Sequence, residues 1–323
     1  MIRSSMARVL ITGGAGFLGA NLTRRLLDLG HRVTLLDNFR SGRLENVRGL
    51  DITLLAQDVR EPIAGEYDWI FNLACPASPP RYQQDPLFTL TTSFDGMRNV
   101  LEVAKRCRAR LVHASTSEVY GDPECHPQPE SYWGHVNPVG PRSCYDEGKR
   151  VAETLSLEYQ RAHGLDVRLV RIFNTYGPWM DPADGRVVSN FIRQALRNTP
   201  ITLYGKGKQT RSFQFVDDLM DGLVAYANAP YSRLTEFFAT KGLDIPVLNM
   251  GNPEEFTIAQ LAREVLRLIP ESKSPIEHLP LPPDDPKQRK PDIAWAQDCL
   301  GWKPSIHLAD GLAKTIAYFR DLA

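Results

Sequence analysis

Two rhythms alternate along the first half of the chain. Short apolar runs of strand length occupy residues 8–12, 32–36, 52–56, 67–74, 111–112 and 166–173. Between them, apolar residues recur at the three- and four-residue spacing of helices. Repeated strand–helix alternation of this kind predicts an α/β fold, a doubly wound parallel sheet of Rossmann-like type. The longest helical stripe, over residues 86–107, places Leu87, Leu90, Phe94, Met97, Val100 and Leu101 on one face, which reads as core packing. Past residue 180 the segments shorten and prolines cluster. A helix is expected over 186–198, a strand over 201–204 and a helix from Val216 with Asp217 as its cap. Further helices are expected over 257–269 and 308–322, with a polar, proline-rich connection over 270–291. The predicted organisation is a dinucleotide-binding domain over 1–180, with returning segments around 211–250. A smaller, discontinuous C-terminal lobe for substrate covers 181–323.

Composition narrows the function classes. The 323 residues are 42% hydrophobic and 24% charged, with Lys+Arg and Asp+Glu balanced at 38 each. No global field therefore points to nucleic acid or an anionic membrane. No apolar run reaches the roughly 18 residues of a membrane span, and the N-terminus leads almost directly into the first strand without a signal-peptide core. The five cysteines are odd in number and scattered, which fits free thiols in a reducing cytoplasm and no metal site. The expectation is a cytoplasmic protein.

The first strand runs into Gly13-Gly14-Ala15-Gly16-Phe17-Leu18-Gly19, which satisfies two overlapping dinucleotide fingerprints, through Gly13 or Gly14 with Gly16 and Gly19. Side chains at the early glycines would block the backbone's approach to a pyrophosphate, and Gly19 lets the next helix pack closely on its strand. That helix aims its dipole and free N–H groups at the anion. The second strand ends at Asp37, with Asn38 beside it, where an acid is expected to bind the adenosine ribose and repel a 2′-phosphate. NAD is favoured over NADP, although Arg40 and Arg43 soften that preference. Asp58 and Val59 close the third strand beside the adenine, and Leu73 and Ala74 close the fourth near the middle of the cofactor.

Tyr145 and Lys149 lie four apart at a predicted helix start, on one face. A neighbouring ammonium favours a phenolate and brings a phenol towards useful proton-transfer range. Upstream, Ser115-Thr116-Ser117-Glu118 follows an apolar run, so hydroxyls and a carboxylate are expected at a strand's end, where a parallel sheet opens its ligand crevice.

These residues resemble the extended short-chain dehydrogenase/reductase family over nearly the whole chain. Within it, residues 74–80, 115–123, 132–138, 142–150, 171–175, 184–191, 209–211 and 289–293 resemble the UDP-glucuronate decarboxylases in particular. The resemblance implies tightly held NAD, UDP-glucuronate as substrate and a homodimer through the helices around Pro86 and Tyr145. It implies three stages: oxidation at the sugar C4 with Tyr145 as base, loss of CO2 from the resulting β-keto acid, and re-reduction to UDP-xylose. It gives Glu118 a part in proton handling at C5 or in setting the carboxylate's surroundings, against a purely structural acid. Thr116 would bond the C4 oxygen and Ser117 line the sugar carboxylate. Arg289 would clamp that carboxylate or, alternatively, the diphosphate. Arg211 and Asn174 are assigned to the diphosphate, and Val188, Ser189 and Tyr204 to uridine, with core packing an equal reading for Tyr204. Thr175 joins the cofactor set, as does Arg186 unless it is a solvated surface charge. The sequence departs from the family at Thr91-Thr92-Ser93 and at Trp179, where an arginine is common. The rival readings are a C4 epimerase on UDP-glucuronate and a non-catalytic NAD-binding sensor.

Overall fold

The computed structural model describes residues 6–280 and 288–322, so the first five residues and part of the proline-rich connection lie outside the described residues. Seven parallel strands form the main sheet: β1 (Arg8–Thr12), β2 (Arg32–Asp37), β3 (Thr53–Ala56), β4 (Trp69–Asn72), β5 (Arg110–Thr116), β6 (Val167–Ile172) and β7 (Val247–Met250). Their spatial order is 7-6-5-4-1-2-3, so the winding reverses between β1 and β4. Ligand crevices open at the carboxyl ends of strands at such a switch point. The central strands bury nearly every residue because helices cover both faces, which is why they read as continuous apolar runs. The β3 edge is mostly exposed.

Helix α1 (Phe17–Asp28) starts directly after the glycine turn, and no side chain caps its first turn. The helix expected over 86–107 is continuous, with a π-helical turn over Thr92–Gly96 between its two parts, α2 (Pro86–Thr91) and α3 (Met97–Cys107). Its apolar stripe divides accordingly. Met97, Val100 and Leu101 are buried, whereas Leu87, Leu90 and Phe94 are exposed at 76%, 39% and 39%, so half of the expected core stripe faces outward. Helix α4 (Ser143–His163) buries Tyr145, Gly148, Lys149, Ala152 and Ser156 on one face, the spacing of a single helical stripe.

Beyond residue 180, the helix Val187–Leu196 and the strand Ile201–Tyr204 fall where expected. The helix Ile258–Leu268 is opened by a capping box between Thr257 and Gln260. Asp217 is not a cap. The helix Val216–Asn228 starts from Phe215 without a side-chain cap, and Asp217 lies within its first turn, where its charge still suits the dipole. β7 and the helices Tyr231–Ala239 and Ala294–Leu300 have no counterpart among the expected elements. Part of the proline-rich connection forms a strand, Ile276–Leu279, parallel to Ile201–Tyr204.

Candidate active site

One cavity of about 570 Å³ runs along the carboxyl ends of β1, β2, β4 and β5 and on towards residues 174–211. Gly13, Gly16 and Gly19 line it, whereas a Cβ at Gly14 would strike the Leu35 side chain, so the Gly13 register of the two fingerprints is the one facing the cavity. Gly13 has φ +69°, and its Cβ would lie 2.9 Å from the Ala74 backbone. At Gly19 a Cβ would collide with the Gly13 carbonyl oxygen. No other residue fits either place. With no cap, the first N–H groups of α1 are left for an anion. Asp37 is buried and accepts the Ala15 N–H at 3.0 Å and the Phe39 N–H at 2.8 Å. Burial pushes its carboxyl up, against those two bonds. Phe17, Leu18, Asn38, Val59, Leu73, Ala74, Thr175 and Arg186 also line the cavity. This cradle fits the pyrophosphate and ribose of an adenine dinucleotide.

Asp58 is not among the residues lining the cavity; Arg60 grips both its oxygens and Asn38 donates to it, which brings its carboxyl to about 2 despite burial. Its neighbours Gln57 and Val59 face the cavity instead.

At the far side of the cofactor cradle, β5 ends in Ser115 and Thr116, and a 3₁₀ turn over Ser117–Tyr120 delivers Glu118. Tyr145 reaches the same place from α4, with its ring stacked on Tyr82 at 5.0 Å and 3°. Burial pushes the Tyr145 phenol up, Cys75 adds to this, and the Thr116 side chain bonded to the phenol pulls it down. Lys149 donates to the Ala114 carbonyl at 2.8 Å and lies 5.9 Å from the centre of the Tyr145 ring. Its ammonium is itself lowered by burial. Burial is the largest influence on both the phenol and the ammonium.

Glu118 is the most heavily braced group in the cavity. Arg289 donates through Nη1 to Oε1 at 2.5 Å and through Nη2 to Oε2 at 3.1 Å, and Arg142 donates to Oε2 at 2.5 Å. Burial alone would raise this carboxyl, but the two guanidiniums outweigh it and hold Glu118 at about 2. Two cations thus share one carboxylate, and the cluster keeps net positive charge. Arg142 is not among the sequence-derived candidates; the signal that could have found it is its place one helical turn before Tyr145. Tyr82, stacked on Tyr145, and Asp146, raised to about 7 by burial and then by Glu118, are also absent from them; only folding brings Tyr82 here, whereas Asp146 directly follows Tyr145 in the helix.

Asn174, Val188, Ser117, Arg211 and Tyr204 also line the cavity. Tyr204 is 42% exposed, which rules out core packing. Arg211 is buried and donates to the Thr210 carbonyl. Arg186 sits 2.6 Å from Asp184 and faces the cavity, so it is not a solvated surface charge. Ser189 is a correction. It is fully buried, it does not line the cavity, and its hydroxyl donates to the Arg186 carbonyl because it lies in the first turn of its helix.

The model of the NAD dependent epimerase/dehydratase family matches residues 9–236. The UDP-glucuronic acid decarboxylase 1 of Xenopus tropicalis is 53% identical over 317 residues, 97% of this chain and 72% of that protein. The UDP-glucuronic acid decarboxylase 3 of Arabidopsis thaliana is 50% identical over 310 residues, 94% of this chain and 86% of that protein. Among solved structures, UDP-glucose 4-epimerase from Thermotoga maritima with UDP-glucose superposes with a TM-score of 0.86 at 26% identity, covering 98% of this chain and 99% of that one. UDP-glucuronic acid 4-epimerase from Bacillus cereus, in complex with UDP-glucuronic acid and NAD, gives 0.83 at 25% identity, covering 98% and 100%. A glycine cradle above a parallel sheet, a buried tyrosine–lysine helix beside it and these likenesses agree: the chain belongs to the NAD dependent epimerase/dehydratase family.

Proposed function

We propose that this chain removes the carboxyl group of UDP-glucuronate as CO2 and yields UDP-xylose, using bound NAD. The single observation that carries the reading is Glu118, braced between Arg289 and Arg142 beside Tyr145, in a chain half identical to relatives named as UDP-glucuronic acid decarboxylases.

Gly13, Gly16, Gly19 and the start of α1 would hold the cofactor's pyrophosphate, and Asp37 its adenosine ribose. When bound, NAD supplies reversible oxidation of the sugar C4 alcohol to a ketone. Tyr145 takes the proton of that alcohol, and Thr116 bonds the same oxygen. The ketone is β to the carboxylate, so the C5–C6 bond can break with its electron pair delocalised onto the C4 oxygen, where the Tyr145 and Thr116 donors meet the new charge. A proton then adds at C5 in place of the lost carboxyl group, and return of the hydride to C4 gives the pentose alcohol and restores NAD. Arg289 and Arg142 orient the departing carboxylate, while Glu118 offsets part of their charge, which would otherwise favour the carboxylate over neutral CO2. Arg211 and Asn174 hold the diphosphate, and Val188 and Tyr204 flank uridine. In this reading residues 1–180 serve chiefly the cofactor and residues 181–323 the nucleotide sugar.

A substrate panel of UDP-glucuronate, UDP-galacturonate and UDP-glucose tests the assignment. Only UDP-glucuronate should be consumed, with a pentose product. A C4-epimerised uronate as sole product would instead favour the epimerase reading, which the Bacillus cereus structure supports by fold.

No helix among the described residues is long and apolar enough to cross a membrane. The exposed Leu87, Leu90 and Phe94 support a homodimer through α2 and α4, since they form an apolar strip beside α4 that a second copy would cover. Leu87→Glu combined with Phe94→Glu should shift the protein to monomer, and light scattering coupled to size-exclusion chromatography reads the change; an unchanged mass would place any dimer contact elsewhere.

A further inference from the structure

We propose that Gln128 is a positioning residue that sets where Arg289 meets Glu118; this rests on the role given to Arg289 above. Arg289 ends a two-residue strand, Gln288–Arg289, that pairs with Thr210–Ser212 on one side. On the other side, the chain just after Arg289 is gripped by one fully buried residue. Gln128 N–H donates to the Lys290 carbonyl at 2.9 Å, and the Gln128 Oε1 accepts the Lys290 N–H at 2.8 Å. The Gln128 carbonyl accepts the Asp292 N–H at 2.9 Å, while its side-chain Nε2 donates to the Cys125 carbonyl at 2.6 Å. Asn249, at β7, ties both strands of this clamp to the main sheet by donating to the carbonyls of Gln128 and Asp292 at 2.9 and 3.0 Å. The Asn249 N–H is in turn held by Glu130, and its side-chain oxygen by the Tyr120 hydroxyl, two residues on from Glu118.

A ring of contacts results: Glu118 to Tyr120, Asn249, Gln128, Lys290, Arg289 and back to Glu118. Both ends of the Glu118–Arg289 pair are thereby referenced to the same sheet. A two-nitrogen contact between a guanidinium and a carboxylate depends on orientation, so the placing of the Arg289 backbone bears on how both nitrogens meet Glu118. Arg289 Nε is buried with no hydrogen-bond partner among the described residues, so the side chain does not locate itself through saturated bonds. Its location comes from the main chain, and Gln128 holds that main chain on both sides of Lys290.

The test is a double-mutant cycle on the NAD-loaded protein with UDP-glucuronate. Gln128→Met keeps the volume and the main-chain bonds but loses the side-chain bonds to the Lys290 N–H and the Cys125 carbonyl; it should lower kcat about tenfold, since small misplacements at a reacting centre cost this much or more. NAD affinity should not change. Gln128→Glu, which retains an acceptor for the Lys290 N–H and, with its buried carboxyl protonated, a donor to the Cys125 carbonyl, should recover most of the loss. In an Arg289→Lys background, itself impaired, Gln128→Met should cost less than about twofold, because coupled residues are not additive. Full additivity with Arg289→Lys impaired would overturn the inference alone. Wild-type kcat in Arg289→Lys would overturn the role of Arg289 and the inference with it. If Gln128→Met does not fold, Gln128→Asn, which keeps the amide one methylene short, takes its place in the cycle with the same expectations.

Discussion

Tyr145→Phe is expected to lower kcat on UDP-glucuronate by about 10³-fold while NAD affinity stays within about twofold, as befits loss of a general base from an otherwise intact cradle. The hydroxyl is the only part of the side chain removed. The ring keeps its stack on Tyr82, and Lys149 keeps its bond to Ala114, so the fold has no reason to change. The loss should fall on C4 oxidation itself, seen as absence of the NADH absorbance in a single turnover. Near-normal turnover in this variant would remove Tyr145 from proton transfer.

The second large effect concerns Glu118→Gln. Decarboxylation turns an anionic carboxylate into neutral CO2, so surplus positive charge at the carboxylate stabilises the starting state more than the transition state. In the wild type, Glu118 neutralises one of the two guanidiniums facing it. The amide leaves both uncompensated. C4 oxidation should therefore proceed at close to its usual rate, whereas CO2 release slows about 10²-fold, a magnitude typical of a displaced electrostatic group. UDP-glucuronate should bind at least as tightly as before, because Arg289 no longer has Glu118 as a competitor. Stopped-flow NADH absorbance and a CO2 assay on the same sample separate the steps. Equal slowing of both would count against this role for Glu118.

Those parts of the site that local chemistry sets are legible in the amino-acid sequence. Gly13, Gly16, Gly19 and Asp37 form a signal within one strand–turn–helix–strand unit, and each faces the cavity. Tyr145 and Lys149 share a helical face that spacing alone fixes. What spacing does not carry is burial, the largest influence on the Tyr145 phenol and the Lys149 ammonium alike. Arg142 is illegible in another way. A lone arginine ahead of a helix reads as a solvated charge until the fold brings it to a carboxylate 24 residues upstream. Ser189 shows the opposite error: it sits next to residues that face the cavity, but the Arg186 carbonyl takes up its hydroxyl. β7 escapes notice because Pro246 just before it and Asn249 within it break up its apolar run.

The most direct measurement uses UDP-glucuronate carrying ¹³C at the carboxyl carbon, incubated with the NAD-loaded protein and followed by NMR. The label should leave the nucleotide sugar and appear as CO2 and bicarbonate while UDP-xylose accumulates. Retention of the label in an intact uronate, whether unchanged or inverted at C4, would contradict the account.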